Sequence, residues 1–379
     1  MQTNGLIIIK KKSMKTTNYF LALILLSFVT WSCTTSDDLS QGTLKTSINK
    51  NVQELTTAMN AISSSASYKV LTNSDLEAGP SYVKSSSDLT VAPIDSIMLS
   101  DITGVYEYNR SHNTYKKWQL SMLNFFTKSA DNDTQMIVKL PEEKVLKPRT
   151  LLFYTPADTL LTNNYVFTLN DYVYKFNRYL WDYKMASTIN IKDVAAGDLK
   201  IQSGYNRNDG YHFASEFAFP GGAMAKCDYS SGDTAVATYA ISDGTKTLYE
   251  EKYTSINNKL LRRHRENSYS LTVGDIQIVR TLGKNSLDSA KVYVAGVLQV
   301  NSKVEVVDIA TTTDSTEVCL TNQKRELKIT FDDGTSSTMT QLLGTTMLDI
   351  RKLFVSLRQT YFATSVVDWI AWDIYRSKK

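Results

Sequence analysis

Asp209, His212 and Glu216 fall within one short stretch, NDGYHFASEF (Asn208 to Phe217), and they carry the residue types that acid and base chemistry uses. On a strand from Tyr211 to Phe219, alternation puts His212, Ala214, Glu216 and Ala218 on one face and Tyr211, Phe213, Ser215 and Phe217 on the other. A histidine and a carboxylate on one face can exchange protons or grip a ligand. The same pattern is also the ordinary wet face of a half-buried sheet. Asp209 and Glu216 are the carboxylates a glycan hydrolase would use, which requires the fold to bring them within about 5 to 10 Å of each other.

Aromatic side chains form the second chemical signal. NNYVFTLNDYVYKFNRYLWDY (Asn163 to Tyr183) is the densest aromatic stretch of the chain. A strand over Asp171 to Arg178 lines up Tyr172, Tyr174 and Phe176, with Val173, Lys175 and Asn177 behind them. A tyrosine ring offers a flat apolar face to sugar C–H groups and a hydroxyl to sugar oxygens. Tyr172, Tyr174 and Trp181 are therefore candidate ligand-binding residues, and sheet core is the competing reading of the same rings.

A third cluster, KLLRRHRENSY (Lys259 to Tyr269), gathers Arg262, Arg263, His264 and Arg265. It suits phosphate or an acidic polysaccharide, unless YEEKY (Tyr249 to Tyr253) neutralises it across a hairpin. Other chemistry finds little footing. His112, His212 and His264 stand in separate segments without zinc spacing, and neither a phosphate-cradling glycine loop nor a G-x-S-x-G elbow occurs. No metal or other cofactor is expected.

These residues need elements to hold them. Ile48, Val52, Leu55, Met59 and Ile62 are spaced by four and three, which predicts an N-terminal helix. Beyond residue 100 the period shortens to two in TGVYEYN (Thr103 to Asn109), TQMIVKL (Thr134 to Leu140), TLLFYT (Thr150 to Thr155) and NYVFTLNDYVYKFN (Asn164 to Asn177), rich in β-branched and aromatic residues. Turn chemistry recurs at RNDG (207–210), SDG (242–244), VAGV (294–297) and DDG (332–334), which predicts hairpins. All six prolines lie at or before Pro220, so the ladder beyond it keeps its backbone donors. Helical spacing returns in Met347, Ile350, Phe354, Leu357 and Tyr361, and again from Val366 to Ile374. The expectation is an α+β fold: a mainly antiparallel sheet, meander or sandwich-like, with an N-terminal helical region and C-terminal amphipathic helices packed on the sheet.

At 379 residues with 42% apolar content, the chain can bury a substantial core. Its formal charge of +4 comes from Lys10, Lys11, Lys12 and Lys15; without these four, 38 basic side chains balance 38 acidic ones. Neutrality argues against a nucleic-acid partner. The same four lysines belong to a leader. From Met14 the chain reads MKTTNYFLALILLSFVTWSC, a basic start, an apolar run from Tyr19 to Val29, then Ser32 and Cys33. The run is too short for the roughly 20 residues of a membrane-spanning helix and fits a secretory signal, with Met1 and Met14 as alternative starts.

Ser32-Cys33 after such a run resembles the signal of bacterial lipoproteins, although Thr30 and Trp31 replace the preferred aliphatic and small residues. The resemblance implies a lipid on Cys33, which becomes the new N-terminus and binds the membrane. Thr34 in the following position implies delivery to the outer membrane, and Ser36-Asp37-Asp38 is similar to the export signal of Bacteroidota-type surface lipoproteins. The expected organisation is a signal over 1–33, a tether over 34–47, a helical and mixed α/β region over 48–160, and an antiparallel β domain with C-terminal helices over 161–379, able to join the preceding region in one domain. The expected role is a cell-envelope lipoprotein for binding or structural support, with a carbohydrate or an outer-membrane protein as partner. A surface glycan hydrolase using Asp209 and Glu216 is the alternative. Cys227 and Cys319 either pair in the oxidising envelope or stay as thiols.

Overall fold

The N-terminal helical stripe folds as its spacing predicts. In this computed structural model, residues 43–72, 95–109, 122–146, 160–177, 180–206, 209–257, 265–282, 290–308, 325–358 and 362–378 are described. Helix α1 (Thr43–Ser64) buries Leu44, Ile48, Leu55, Met59 and Ile62, all at most 5% exposed. It starts at Thr43, inside the stretch expected to be tether, because Leu44 already belongs to the apolar stripe and packs in the core. Ser65 then interrupts the helix and caps α2 (Ala66–Leu71), its hydroxyl accepting the backbone N–H of Tyr68 at 3.1 Å.

Four short strands and two short helices follow: β1 (Asp95–Met98), α3 (Leu99–Ile102), β2 (Gly104–Tyr108), β3 (Phe126–Ala130), β4 (Met136–Leu140) and α4 (Glu142–Leu146). The long meander comprises β5 (Tyr165–Phe176), β6 (Trp181–Ile191), β7 (Val194–Asn206), β8 (Gly210–Ala218), β9 (Met224–Ser231), β10 (Thr234–Ser242), β11 (Thr247–Asn257), β12 (Arg265–Val273), β13 (Ile276–Leu282) and β14 (Ala290–Val294). Short strands β15 (Val297–Leu298), β16 (Lys303–Asp308), β17 (Arg325–Thr330) and β18 (Ser336–Thr338) lead into α5 (Met339–Leu343), α6 (Thr345–Arg358) and α7 (Phe362–Lys378).

All 18 strands among the described residues belong to one sheet. From β5 to β14 each strand pairs antiparallel with the next, and β16 to β18 continue the ladder from β14. At the other end β4 pairs with β5, β2 lies parallel to β4, and β3 pairs with β2; β1 occupies the rest of the same edge of β5. The β4–β5 pairing crosses residue 160 without a boundary, and residues 41–379 form one compact unit. The TLLFYT stretch lies outside the described residues.

All four sequence-signalled turns close strand pairs: β7–β8, β10–β11, β14–β15 and β17–β18. The β6–β7 hairpin carried no such signal. Lys192 and Asp193 join β6 to β7 with φ of 52° and 63°, a left-handed pair formed here without glycine.

Helices α1, α6 and α7 cover one face of this sheet. Asn51 of α1 donates through Nδ2 to Asp275 Oδ1 in the β12–β13 turn. Next to Asp275, Gly274 has φ of +61°, and a Cβ there would lie 2.4 Å from Asn51. Phe354 of α6 packs against Tyr239 and Tyr249 with ring centroids 5.2 and 6.1 Å away. Trp372 of α7 packs on Phe176 and Tyr174 at 4.8 and 5.8 Å. The two C-terminal stripes are thus separate helices, joined to the N-terminal pair through Tyr68, whose hydroxyl donates to Asp349 Oδ1 of α6 at 3.1 Å.

Candidate functional site

Register decides which side chains share the helix-covered face. Along β5, Tyr165, Phe167 and Leu169 point into the core, and unbroken alternation would then send Asp171 inward and Tyr172 out. A bulge between Leu169 and Asp171 restores the inward course for Tyr172, Tyr174 and Phe176. The three rings therefore share one face, and that face lies against α7.

Cross-strand rows follow from the same pairings. Two apolar rows lie deep in the core, one through Tyr172, Met185, Ile201, Ser215, Cys227 and Tyr239, the next through Leu169, Ser187, Leu199, Phe217, Ala225 and Ile241. Toward the other end of the strands a row runs through Tyr174, Tyr183, Ser203, Phe213, Tyr229, Ala237, Tyr253 and Tyr269. An outermost row starts at Phe176 and continues through Trp181, Tyr205 and Tyr211 to Ser231.

Helix cover divides these outer rows. Beneath α7, Asp368 Oδ1 accepts the hydroxyls of Tyr172 at 3.0 Å and Tyr183 at 3.1 Å. Burial pushes the Asp368 carboxyl up to about 7, while the two tyrosine hydrogen bonds pull it back down. Burial, reinforced by the Asp368 charge, moves both tyrosine hydroxyls well above their ordinary range, so they stay protonated donors. Beyond α7 the rings open to solvent: Tyr205, Tyr229 and Tyr253 are 42, 37 and 41% exposed, and Trp181 and Tyr211 are half-buried. Trp181 meets Tyr211 at 5.8 Å and Tyr211 meets Tyr229 at 5.7 Å, with rings inclined 50° and 47°. Burial, then the Tyr229 neighbour, raises the Tyr211 hydroxyl. The result is an accessible aromatic strip on an otherwise helix-covered face.

The candidate binding residues separate accordingly. Tyr172 is 1% exposed and hydrogen-bonded to Asp368, so neither ring face can receive a sugar. Tyr174 is held between Phe176, Tyr183 and Trp372. Trp181 alone of the three belongs to the open strip. The other strip members lie on neighbouring strands, and only correct cross-strand register would have revealed their meeting.

Asp209, His212 and Glu216 do not converge. Strand β8 alternates as expected, with Phe213, Ser215 and Phe217 buried and the opposite face wet. His212 is exposed and lies over Gly204, while Glu216 Oε1 accepts Lys200 Nζ at 3.1 Å on the solvated side. Asp209 sits in the turn, its backbone N–H donating to Asn206 Oδ1 and its Oδ2 accepting Asn206 Nδ2, both at 2.7 Å. Glu216 lies six residue steps along β8 from Gly210, about 20 Å at strand rise, far beyond the carboxylate spacing of glycosidases.

In the β11–β12 register Glu250 and Glu251 face Thr272 and Leu271, and Arg265 faces Asn257, so neither glutamate stands opposite Arg265. Arg262, Arg263 and His264 lie outside the described residues, as do His112, Cys319 and Cys33 with the whole signal segment. Cys227 is buried, 2% exposed. Among the described residues no group of three or more His, Cys, Asp or Glu is placed to hold a metal, and no helix is long and apolar enough to cross a membrane. An apolar cavity lined by Ile48, Val52, Leu271, Ile278, Ile329 and Met339 separates α1 from the sheet and offers no polar anchor for a ligand. Comparison of the chain with protein-family models, with curated proteins and with solved structures found no match.

Proposed function

We propose that this chain is a cell-envelope lipoprotein, held at the outer membrane through lipid on Cys33, whose folded part binds a partner instead of catalysing a reaction. The anchoring half of the proposal rests on the apolar run ending in Ser32-Cys33, with Thr34 and the acidic Asp37-Asp38 behind it. Anchoring by acyl chains follows from the burial of each CH2, worth about 0.8 kcal/mol, so more than one chain gives a stable hold. The observation that carries the binding half is the open strip of Trp181, Tyr205, Tyr211, Tyr229 and Tyr253, aromatic rings left uncovered on the face that three helices otherwise seal. Large apolar surface left exposed on a soluble domain marks an interaction site.

Metabolic labelling with a clickable palmitate analogue tests the anchor. The wild-type protein is expected to carry label and sediment with outer membranes, and Cys33→Ala to lose both properties. An unlabelled wild-type chain in the soluble fraction would overturn the proposal. Protease shaving of intact cells, with Asp37 and Asp38 as they are and changed to Ala, reads whether the acidic pair directs the protein to the outer surface.

A further inference from the structure

We infer that the open strip is a binding site for a neutral glycan chain laid across the strands. The inference rests on the proposed binding role and names its ligand class. Its basis is the composition of the two outer rows between β6 and β12. Trp181, Tyr205, Tyr211, Tyr229, Tyr253 and Tyr269 supply rings, and the positions among them are Ser203, Ser231, Ser255, Ala235, Ala237, Asn267 and the buried Tyr183 and Phe213. No charged residue occurs in these rows, and neither does any valine, isoleucine, leucine or methionine. On this face between β6 and β12, branched aliphatic side chains stand in the inner rows.

That separation discriminates among ligands. Protein interfaces are enriched in aromatic residues together with methionine and arginine, and lipid-facing surfaces in aliphatic residues beside cations; these rows hold the rings without those companions. An acidic polysaccharide requires cations, and Arg280 in the register and Arg351 of α6 both act at Tyr269, at the far end of the strip. A surface of rings and small hydroxyl side chains fits an uncharged polyhydroxylated chain, whose C–H faces stack on rings and whose oxygens take hydroxyl hydrogen bonds. Tyr269 already donates its hydroxyl to Glu251 Oε1 at 2.7 Å, whereas no hydrogen bond among the described residues engages the hydroxyls of Tyr205, Tyr229 and Tyr253. From β6 to β11 the strip crosses five strand intervals, about 24 Å, which suits several linked sugars better than one.

Affinity electrophoresis of the full mature protein tests this, in gels carrying a neutral glucan, xylan or mannan and in parallel gels carrying polygalacturonate or dextran sulfate. Retardation by at least one neutral glycan is expected, persisting at high salt and weakened about threefold to tenfold by Trp181→Ala or Tyr229→Ala. Tyr229→Phe, which keeps the ring, should retain most of the binding, and unchanged circular dichroism identifies folded variants. Absence of retardation by every neutral glycan, retardation only by the acidic polymers, or indifference to removal of both rings would overturn the inference. Lipid labelling is read separately. A labelled, membrane-bound protein that ignores neutral glycans leaves the anchored accessory role standing while this ligand class falls.

Discussion

Asp368→Asn should remove a pH dependence that the wild-type fold carries between mildly acidic and neutral conditions. The Asp368 carboxyl lies under α7 with its Oδ1 accepting two tyrosine hydroxyls, and burial raises it from 3.8 to about 7. Between those values the folded protein keeps a proton that the unfolded chain has released, so stability is greatest on the acid side. It declines as pH rises from the unfolded value through the folded one and is constant above. At 1.36 kcal/mol per unit, the decline amounts to about 4 kcal/mol as a ceiling, because part of the residue's surface remains in solvent.

Asparagine preserves the geometry. Tyr172 and Tyr183 both donate to the same oxygen, which the Asn carbonyl reproduces, and Tyr174, on which the Asp368 charge also acts, is shifted upward mainly by burial. Urea unfolding of both proteins at about pH 5 and about pH 8, followed by tryptophan fluorescence and circular dichroism, isolates the term. Wild type should lose about 1 to 3 kcal/mol relative to Asp368→Asn across that interval. Parallel pH dependence of the two proteins would refute the reasoning, since it would mean that Asp368 does not titrate in this window.

Three further outcomes follow from packing and charge. Leu55→Ala in α1 or Leu353→Ala in α6, both fully buried, should cost about 2 to 5 kcal/mol in denaturant unfolding. Gly274→Ala places a Cβ at a positive φ and against Asn51, so it should destabilise by about 1 kcal/mol or more, while loosening α1 as judged by amide exchange in its buried half. Glu216→Gln breaks only the exposed pair with Lys200, so a change in stability of less than about 1 kcal/mol is expected, with glycan retardation unaltered; a large loss of binding would place the site on the solvated face instead.

The residues that gave themselves away in the sequence are those whose information is local. Ile48, Leu55, Met59 and Ile62 announce a helix through spacing alone, and Asp-Gly announces a turn because glycine accepts positive φ without strain. The two faces of β8 are legible in the same way, since alternation along a strand needs no partner strand. Its wet face held the sequence candidates His212 and Glu216, and its helix-side face held Tyr211. What the string does not contain is register. Trp181 meets Tyr211 across β7, with 29 residues between them, because β6–β7 and β7–β8 hydrogen-bond with one particular offset, and a slip of one residue would turn either ring to the solvent side. Helix cover is equally non-local: Tyr172 and Trp181 look alike as exposed candidates until α7, nearly 200 residues away, seals one and leaves the other open. The same logic explains why Asp368 reads in sequence as an interruption of an apolar helix. Its meaning depends on Tyr172 and Tyr183, two strands brought side by side by β5–β6 pairing, which convert an apparent break in the stripe into a hydrogen-bonded carboxyl under the helix.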